Sequence, residues 1–306
     1  MKIYKEVPLS SINLQKTNYL HSYPERTSLL IKSIKEFGIL QPPLLLDAEE
    51  GLIILCGEGR VKASLNLGLE TIPCLVLKDR YPDKELHFIS LHSNLFRPLN
   101  LIEKSIFFTK VYPYLTKEEI DKVLKILNLP IHQNIIKILF IINKLNDDYK
   151  KFILNEKLNP QILKYYDYFT EEDFFSLLNL CVNLSLSFSE QRELFELAND
   201  LKKLGKLEEF LKEISGVLIF EDFNKRKRAY KEIFISFRFP FYSQKWEKVQ
   251  EIKNFFSHKG IDVQYVPYLE EREVEIRLKT DSLEDFEECV NFLKDHGRKI
   301  FAVFEG

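Results

Sequence analysis

The sequence predicts an α+β protein of several domains, and three stretches with different patterns support this prediction. Residues 1–84 mix short apolar runs with short amphipathic segments, residues 85–215 follow a helical period almost throughout, and residues 216–306 alternate again. Because domains commonly hold about 100 to 150 residues, this chain is long enough for more than one hydrophobic core. We therefore expect an α/β domain, an all-helical domain and a second α/β domain, in that order.

The composition excludes several classes of protein. A hydrophobic fraction of 45% and a charged fraction of 29% are typical of globular proteins. The formal net charge is only −2, so any binding of nucleic acid has to depend on a local basic patch. The 4 cysteines form no CxxC pair, which favours reduced core residues over a zinc site or disulfides. Neither an apolar signal segment nor a membrane span of about 18 apolar residues is visible, so we expect a cytoplasmic protein.

The first domain shows helix and strand signals in alternation. Residues 28–38 place apolar side chains on one helical face and end at Gly38, a typical C-cap. The apolar runs 42–47 and 52–56 flank an acidic turn, which predicts two adjacent strands joined by a hairpin. A further strand is predicted over 72–77, after a short helix that stops at a glycine. These signals together favour an α/β unit.

A charged turn flanked by glycines lies between the second and third of these strands, in CGEGRVKASLNLGL (56–69). Gly57 and Gly59 allow positive φ and a close approach of a ligand to the main chain. The amides at a helix N-terminus favour an anion, and Arg60 adds a charged fork suited to phosphate. The turn therefore predicts a phosphate site. An ordinary strand-to-helix turn with a solvated pair of Glu58 and Arg60 explains these few residues equally well.

Three segments follow one another in the first part of the chain: GILQPPLLL (38–46), CGEGRVKASLNLGLETIPCLVL (56–77) and LHSNLFRPLNLIEKS (91–105). Their order, spacing and flanks resemble three motifs of the ParB family, the chromosome and plasmid partition proteins with a ParB/sulfiredoxin fold. The resemblance implies a nucleoid-associated protein that binds DNA as a homodimer, works with a partition ATPase, and uses CTP with magnesium to close into a clamp. The sulfiredoxin chemistry itself is not expected, because Glu58 lies where that family has its catalytic cysteine.

The resemblance also implies which residues contact the nucleotide. The matching positions are Gly38 and Gln41 on the base side, Gly57, Glu58, Gly59 and Arg60 on the phosphate side, and Asn94 and Arg97 in the third motif, with Asn94 also as a metal ligand. Two positions depart from the family pattern. Gly59 replaces an arginine and Ser93 replaces a glutamate, which removes one phosphate clamp and one carboxylate. We therefore do not expect efficient hydrolysis of CTP.

The helical stretch 115–163 resembles the helix-turn-helix region of the same family. Its second helix, within PIHQNIIKILFIINKL (130–145), offers side chains that could reach bases in a major groove. These candidates are His132, Gln133, Asn134 and Lys137. The turn lacks the expected glycine and the helix carries many apolar residues, so a buried helix of a bundle remains the alternative.

A basic run, NKRKRAYK (224–231), lies at the start of the last domain. Lys225, Arg226, Lys227 and Arg228 are candidates for contacts with DNA phosphates, which would make binding depend steeply on salt. A solvated linker is the alternative. Beyond it, apolar segments at 233–239, 261–268, 272–280 and 299–304 alternate with helical ones, which predicts a ferredoxin-like βαββαβ unit.

These observations predict three parts: residues 1–84 as a ParB/sulfiredoxin-like nucleotide-binding domain, 85–215 as a helical domain with a helix-turn-helix, and 216–306 as an α/β dimerisation domain. The expected role is DNA partition or nucleoid organisation. Two other roles remain open. ParB-like folds also occur in nucleases and in a small-molecule kinase, and a degenerate member could act as an interaction protein that binds neither nucleotide nor DNA.

Overall fold

The computed structural model of the chain describes residues 2–25, 27–78 and 80–305, with residues 242–244 described by their backbone alone. The chain divides into two compact units, Met1–Phe174 and Phe175–Gly306. Each unit has its own clusters of buried apolar side chains. The predicted division into three parts, with boundaries after residues 84 and 215, stays a prediction.

A five-stranded mixed sheet forms the N-terminal part of the first unit. Its strands are β1 (Lys2–Pro8), β2 (Ile12–Asn13), β3 (Leu44–Ala48), β4 (Gly51–Cys56) and β5 (Thr71–Leu77), in the order β1-β5-β3-β4-β2. The predicted hairpin is confirmed, since β3 and β4 pair antiparallel on either side of the acidic turn. The predicted third strand is confirmed as β5, which lies parallel to β3. Alternating buried residues along these strands form the core under the sheet.

Two helices accompany this sheet. Helix α1 (Thr27–Phe37) and helix α2 (Glu58–Asn66) pack against each other, and both were predicted. Helix α1 ends at Phe37, and the next residue, Gly38, has a φ of +68°, the left-handed conformation of a C-cap glycine. Helix α2 begins directly after β4, so the strand delivers the turn at Gly57 to the edge of the sheet.

The rest of the first unit is helical. Its helices are α3 (Asp83–His92), α4 (Leu101–Val111), α5 (Lys117–Ile126), α6 (Gln133–Lys144) and α7 (Asp147–Leu154), followed by a 3-10 helix over Pro160–Tyr168. The predicted capping box is confirmed, since Thr116 and Glu119 exchange hydrogen bonds at the start of α5. Asn128, with φ of +56°, occupies the left-handed position of the turn after α5, where a glycine was expected.

The second unit is mostly helical. Its elements, with α8 beginning just before the division, are α8 (Glu171–Asn183), α9 (Phe188–Lys203), α10 (Leu207–Gly216), α11 (Phe223–Arg238), α12 (Pro240–Ser257), β6 (Ile261–Tyr265), β7 (Val274–Leu278), α13 (Leu283–His296) and α14 (Arg298–Phe301). Strands β6 and β7 pair antiparallel and cover a small core with α12 and the C-terminal helices.

The predicted βαββαβ unit is wrong at both ends. Its first strand, 233–239, belongs to α11, and its last, 299–304, is α14 with a 3-10 turn. Short apolar runs do not distinguish a strand from a buried helix by themselves. Asp222 caps α11 by accepting the Lys225 N–H, and the helix then continues through the apolar run. In the last segment Ile300 and Val303 are both buried, which is a helical spacing.

Candidate functional site

An open cleft of about 840 Å³ in the first unit brings the predicted motif residues together. It is lined by Gln41, Gly57, Glu58, Gly59, Arg60, Asn94 and Arg97, which are all of the predicted nucleotide contacts except Gly38. These residues come from three separate segments of the sequence. The fold therefore places the three motifs around one volume.

The turn at Gly57 packs closely against Pro43 and Arg60. Gly57 has φ of +93° and ψ of 23° and forms the N-cap of α2. A Cβ atom at this position would lie 3.0 Å from the Cα of Pro43 and 3.0 Å from Nη1 of Arg60. Both the dihedral angles and the space therefore require glycine. The first N–H groups of α2 lack partners within the helix, as at any helix start, and can bind an anion.

Arg60 connects two of the motifs. Its Nη2 donates a hydrogen bond of 2.8 Å to Oε1 of Gln41, which belongs to the predicted base-side segment. Glu58 does not pair with it, because the Glu58 carboxylate lies 2.9 Å from Nζ of Lys62. The predicted pair of Glu58 and Arg60 is therefore replaced by a pair of Glu58 and Lys62, whereas the turn from strand to helix is as the alternative describes it. The arginine is held at the cleft by a neutral partner, which leaves its charge available to a ligand.

Gly59, where the resemblance leads us to expect an arginine, packs closely against α1. A Cβ atom at Gly59 would lie 2.9 Å from Cδ1 of Leu30, a residue of α1 that also lines the cleft. An arginine at this position would require the Leu30 side chain to move. The close packing of α1 on α2 therefore leaves little space for a side chain at position 59.

Arg97 lies at the cleft but is held from behind by a buried carboxylate. Its Nη1 and Nη2 donate to the two oxygens of Glu103 at 2.7 Å and 2.6 Å, a bidentate geometry. Glu103 is 0% exposed and also accepts the backbone N–H groups of Tyr23 and Asn100, both at 3.1 Å. Burial raises the pKa of Glu103, but these hydrogen bonds outweigh it and hold that pKa below its ordinary value. Glu103 is therefore an ionised anchor for Arg97.

The proposed metal ligand is partly engaged. Asn94 is buried, and its Nδ2 donates to the carbonyl of Ser90 at 2.9 Å. Ser93, which replaces the family's glutamate, donates from its hydroxyl to the carbonyl of Ile89 at 2.8 Å. Within the described part of the chain, no group of three or more His, Cys, Asp or Glu side chains is arranged to hold a metal ion. A magnesium ion here would depend on phosphate oxygens and water for most of its ligands.

Several residues that sequence reasoning missed also line the cleft. These are Ser22, Tyr23, Pro24, Glu25, Leu29, Leu30, Cys56, Lys62, Phe96, Asp147 and Lys151. Lys62 could have been found, because it follows Glu58 at the spacing of a helical ion pair. Tyr23, Asp147 and Lys151 gave no signal, since contacts across such sequence distances leave no local pattern.

The predicted DNA-reading helix presents its N-terminal end to solvent. His132 caps α6 by accepting the N–H of Ile135 on its Nδ1 at 3.1 Å, and Gln133 and Asn134 are exposed. Lys137 is less available, since its Nζ lies 2.7 Å from a carboxylate oxygen of Asp167. The opposite face of α6 is buried in the helical core. One face of α6 is therefore buried as in a helical bundle, its N-terminal end is accessible, and its role in reading DNA stays a prediction.

The basic run forms the first half of α11, so its interpretation as a linker is wrong. Arg226 donates to the carbonyls of Phe220 and Glu221, Lys227 pairs with Glu190 at 3.3 Å, and Arg228 pairs with Glu232 at 3.0 Å. Lys225 and Lys231 are exposed and form no ion pair within the residues that the structure describes. The helix therefore offers fewer unpaired charges than the sequence suggests.

The cysteines lie in or near the core as free thiols. Cys74, Cys181 and Cys289 are buried, Cys56 is half-buried beside the cleft, and all are free thiols. Burial raises the pKa of the Cys56 thiol, so the reactive thiolate is disfavoured there. None of the helices described is long and apolar enough to cross a bilayer.

Comparisons with known proteins agree with this geometry. Residues 1–95 match the family model of the ParB N-terminal domain. The chain is 36% identical over 83 residues to a probable plasmid-partitioning protein ParB from Thermus thermophilus, and 34% identical over 97 residues to one from Xylella fastidiosa. These matches cover 27% and 31% of this chain, and only 27% and 23% of the relatives.

A solved structure is similar as well. It is a C-terminally truncated chromosome-partitioning protein ParB from Caulobacter crescentus complexed with CTP-gamma-S, with 20% identity and a TM-score of 0.27, over 54% of this chain and 93% of that one. The match of the family model coincides with the sheet, α1, α2 and α3, which carry the cleft motifs. Residues 1–95 are therefore similar to the ParB N-terminal domain, and the similarity to the curated relatives is limited to about a quarter of their length.

Proposed function

We propose that this chain is a DNA-binding partition protein that binds CTP in the cleft around the Gly57 turn. The observation that carries the proposal is the convergence of the three motif segments on one cleft in a ParB N-terminal domain. The similar proteins from Thermus thermophilus and Xylella fastidiosa are named as probable plasmid-partitioning proteins, which supports the same role.

The residues present fit a nucleoside triphosphate. The Gly57 turn brings the start of α2 to the cleft, where its first backbone N–H groups can bind phosphate oxygens. Arg60 supplies a positive charge beside Gln41, whereas the charge of Arg97 is balanced by Glu103. CTP would bring a triphosphate whose negative charge Arg60 partly neutralises. A magnesium ion on that triphosphate would take an oxygen from Asn94 and complete its shell with water.

The departures at Gly59 and Ser93 lead us to propose binding without efficient hydrolysis. Gly59 brings no charge to the phosphates, and Ser93 bonds back to its own helix rather than offering a carboxylate. The nucleotide would then act as a ligand that changes the state of the protein, as a gate for DNA binding.

We further propose that α5 and α6 act as a helix-turn-helix, with Gln133 and Asn134 reaching base edges. Both are exposed at the N-terminal end of α6, which is the end that enters a major groove in such motifs. Phosphate contacts would come from the basic half of α11. In this proposal residues 1–84, 85–215 and 216–306 serve nucleotide binding, DNA reading and homodimerisation, and the dimer works with a partition ATPase on the nucleoid.

The experiment for the DNA-binding role is fluorescence anisotropy with labelled genomic fragments over a salt series. We expect the logarithm of the association constant to fall linearly with the logarithm of the salt concentration. The double variant Gln133→Ala/Asn134→Ala should weaken binding to a preferred fragment and leave the salt slope unchanged, because these side chains are uncharged. Lack of binding by the wild-type chain at low salt would refute the proposal.

A further inference from the structure

One wall of the cleft comes from a helix outside the motif segments. Asp147 and Lys151 of α7 line the same volume as the Gly57 turn. Helix α7 follows α6 directly, with Leu145 and Asn146 alone between them. The cleft therefore joins the ParB N-terminal domain to the helix that immediately follows the proposed DNA-reading helix.

Helix α7 is connected to the loop around Tyr23, which also lines the cleft, by a hydrogen bond. The Tyr23 hydroxyl donates to Oδ1 of Asp147 at 2.7 Å. The backbone of Tyr23 is held in turn, because its N–H donates to Glu103 and its carbonyl accepts from Nδ2 of Asn100 at 2.6 Å. Since Glu103 also anchors Arg97, one buried carboxylate positions both an arginine of the cleft and the loop that contacts α7.

Lys151 is the charged group on this wall. Its Nζ lies 2.7 Å from Oδ2 of Asp147, and its side chain is 54% exposed. A lysine has a flexible stem and a compact charge, so it can leave an exposed carboxylate and follow a phosphate. On the other wall Gly59 brings no charge, and Lys62 is already shared between Glu58 at 2.9 Å and Glu25 at 3.5 Å. On the α2 side Gly59 therefore carries no cation, and on the α7 side Lys151 does.

We propose that Lys151 contacts the phosphates of the bound nucleotide, in place of the side chain that Gly59 lacks. The proposal rests on the proposed binding of CTP in this cleft. A nucleotide held by both walls connects α2 to α7, and through the short link to α6. Nucleotide and DNA would then bind to adjacent helices, and any coupling between the two affinities is reciprocal.

The test is calorimetric titration of the full chain with CTP and magnesium. Lys151→Gln should weaken binding about tenfold, as expected when one charge-assisted hydrogen bond to phosphate is lost. Asp147→Asn should bind CTP at least as tightly as the wild type, because it releases Lys151 and removes a negative charge. Lys150→Gln is the matched control, since Nζ of Lys150 bonds to the carbonyl of Asn143 and this residue does not line the cleft.

The outcomes separate this proposal from the one on which it rests. If the wild-type chain binds CTP, Arg60→Ala loses binding and Lys151→Gln binds as the wild type does, the nucleotide site stands and the role of Lys151 is wrong. Equal weakening by Lys151→Gln and Asp147→Asn would also overturn it, since that pattern belongs to an ion pair that only supports the fold. A wild-type chain without any CTP binding would refute both proposals. Circular dichroism and melting of each variant verify that it is folded.

Discussion

The substitution Arg97→Leu tests the buried anchor behind the cleft. It removes the bidentate partner of Glu103 and leaves a carboxylate that is 0% exposed, with the backbone N–H groups of Tyr23 and Asn100 as its remaining donors among the residues that the structure describes. Breaking a buried ion pair on one side costs about 3–5 kcal/mol, because the remaining charge stays desolvated. The side chain of Arg97 is 18% exposed, so we expect a loss near the lower end, about 3 kcal/mol.

The assay is urea unfolding of the full chain at pH 7, followed by far-UV circular dichroism. In a thermal scan the same loss should lower the melting temperature of the first unit by about 6–12 °C, given the usual scaling for a unit of this size. A double-mutant cycle with Arg97→Leu, Glu103→Leu and the double variant measures the interaction energy between the two side chains. We expect the double variant to be more stable than the sum of the single losses predicts, by about 2 kcal/mol. A single loss below about 1 kcal/mol, the value of an exposed pair, would refute the reasoning.

The same anchor predicts a pH dependence. Because the hydrogen bonds hold the pKa of Glu103 below its ordinary value of 4.5, the unfolded chain takes up this proton first as the pH falls. The contribution of Glu103 to stability is therefore complete above pH 4.5 and is lost as the pH falls through the lowered pKa. A urea-unfolding series should show a steeper acid loss for the wild type than for Glu103→Gln, and parallel curves would contradict the assignment.

Three further predictions address other parts of the chain. Burial lowers the pKa of His21 from 6.5 to about 4, so stability should fall by up to about 3 kcal/mol between pH 6.5 and pH 4. His21→Leu should remove that loss in a urea-unfolding series, and an unchanged slope would contradict it. Gly57→Ala should cost about 1–2 kcal/mol from its φ alone and should also abolish CTP binding. The control Gly68→Ala shares the positive φ but has open space around it, so only stability should change. Lys225→Gln should reduce the salt slope of DNA binding by about 1, and an unchanged slope would exclude a phosphate contact there.

Local patterns were sufficient for the elements that carry the cleft. Alternation and turn residues predicted the hairpin of β3 and β4, and two glycines predicted the turn before α2. These signals work because backbone conformation there is decided by neighbours in the sequence. The motif resemblance placed Arg60 and Arg97 at one site, and the structure brings them to the same cleft.

Long-range partners could not be predicted in the same way. Nothing local indicates that Tyr23 bonds to Glu103, or that Asp147 accepts its hydroxyl. The apolar run 233–239 was wrongly predicted as a strand, because its residues suit either period and the capped start of α11 decides the outcome. The turn after α5 lacks the expected glycine, but Asn128 adopts the same left-handed conformation, because asparagine tolerates a positive φ better than most residues do.

Fluorescence anisotropy at one fixed salt concentration, with and without CTP and magnesium, measures whether the nucleotide changes the affinity of the chain for DNA. If the cleft binds the nucleotide and is connected to the DNA-reading helix, CTP should change the dissociation constant several-fold, and Arg60→Ala should abolish that change while still binding DNA. Identical affinities with and without CTP for a wild-type chain that binds DNA would contradict the proposed effect of CTP on DNA binding.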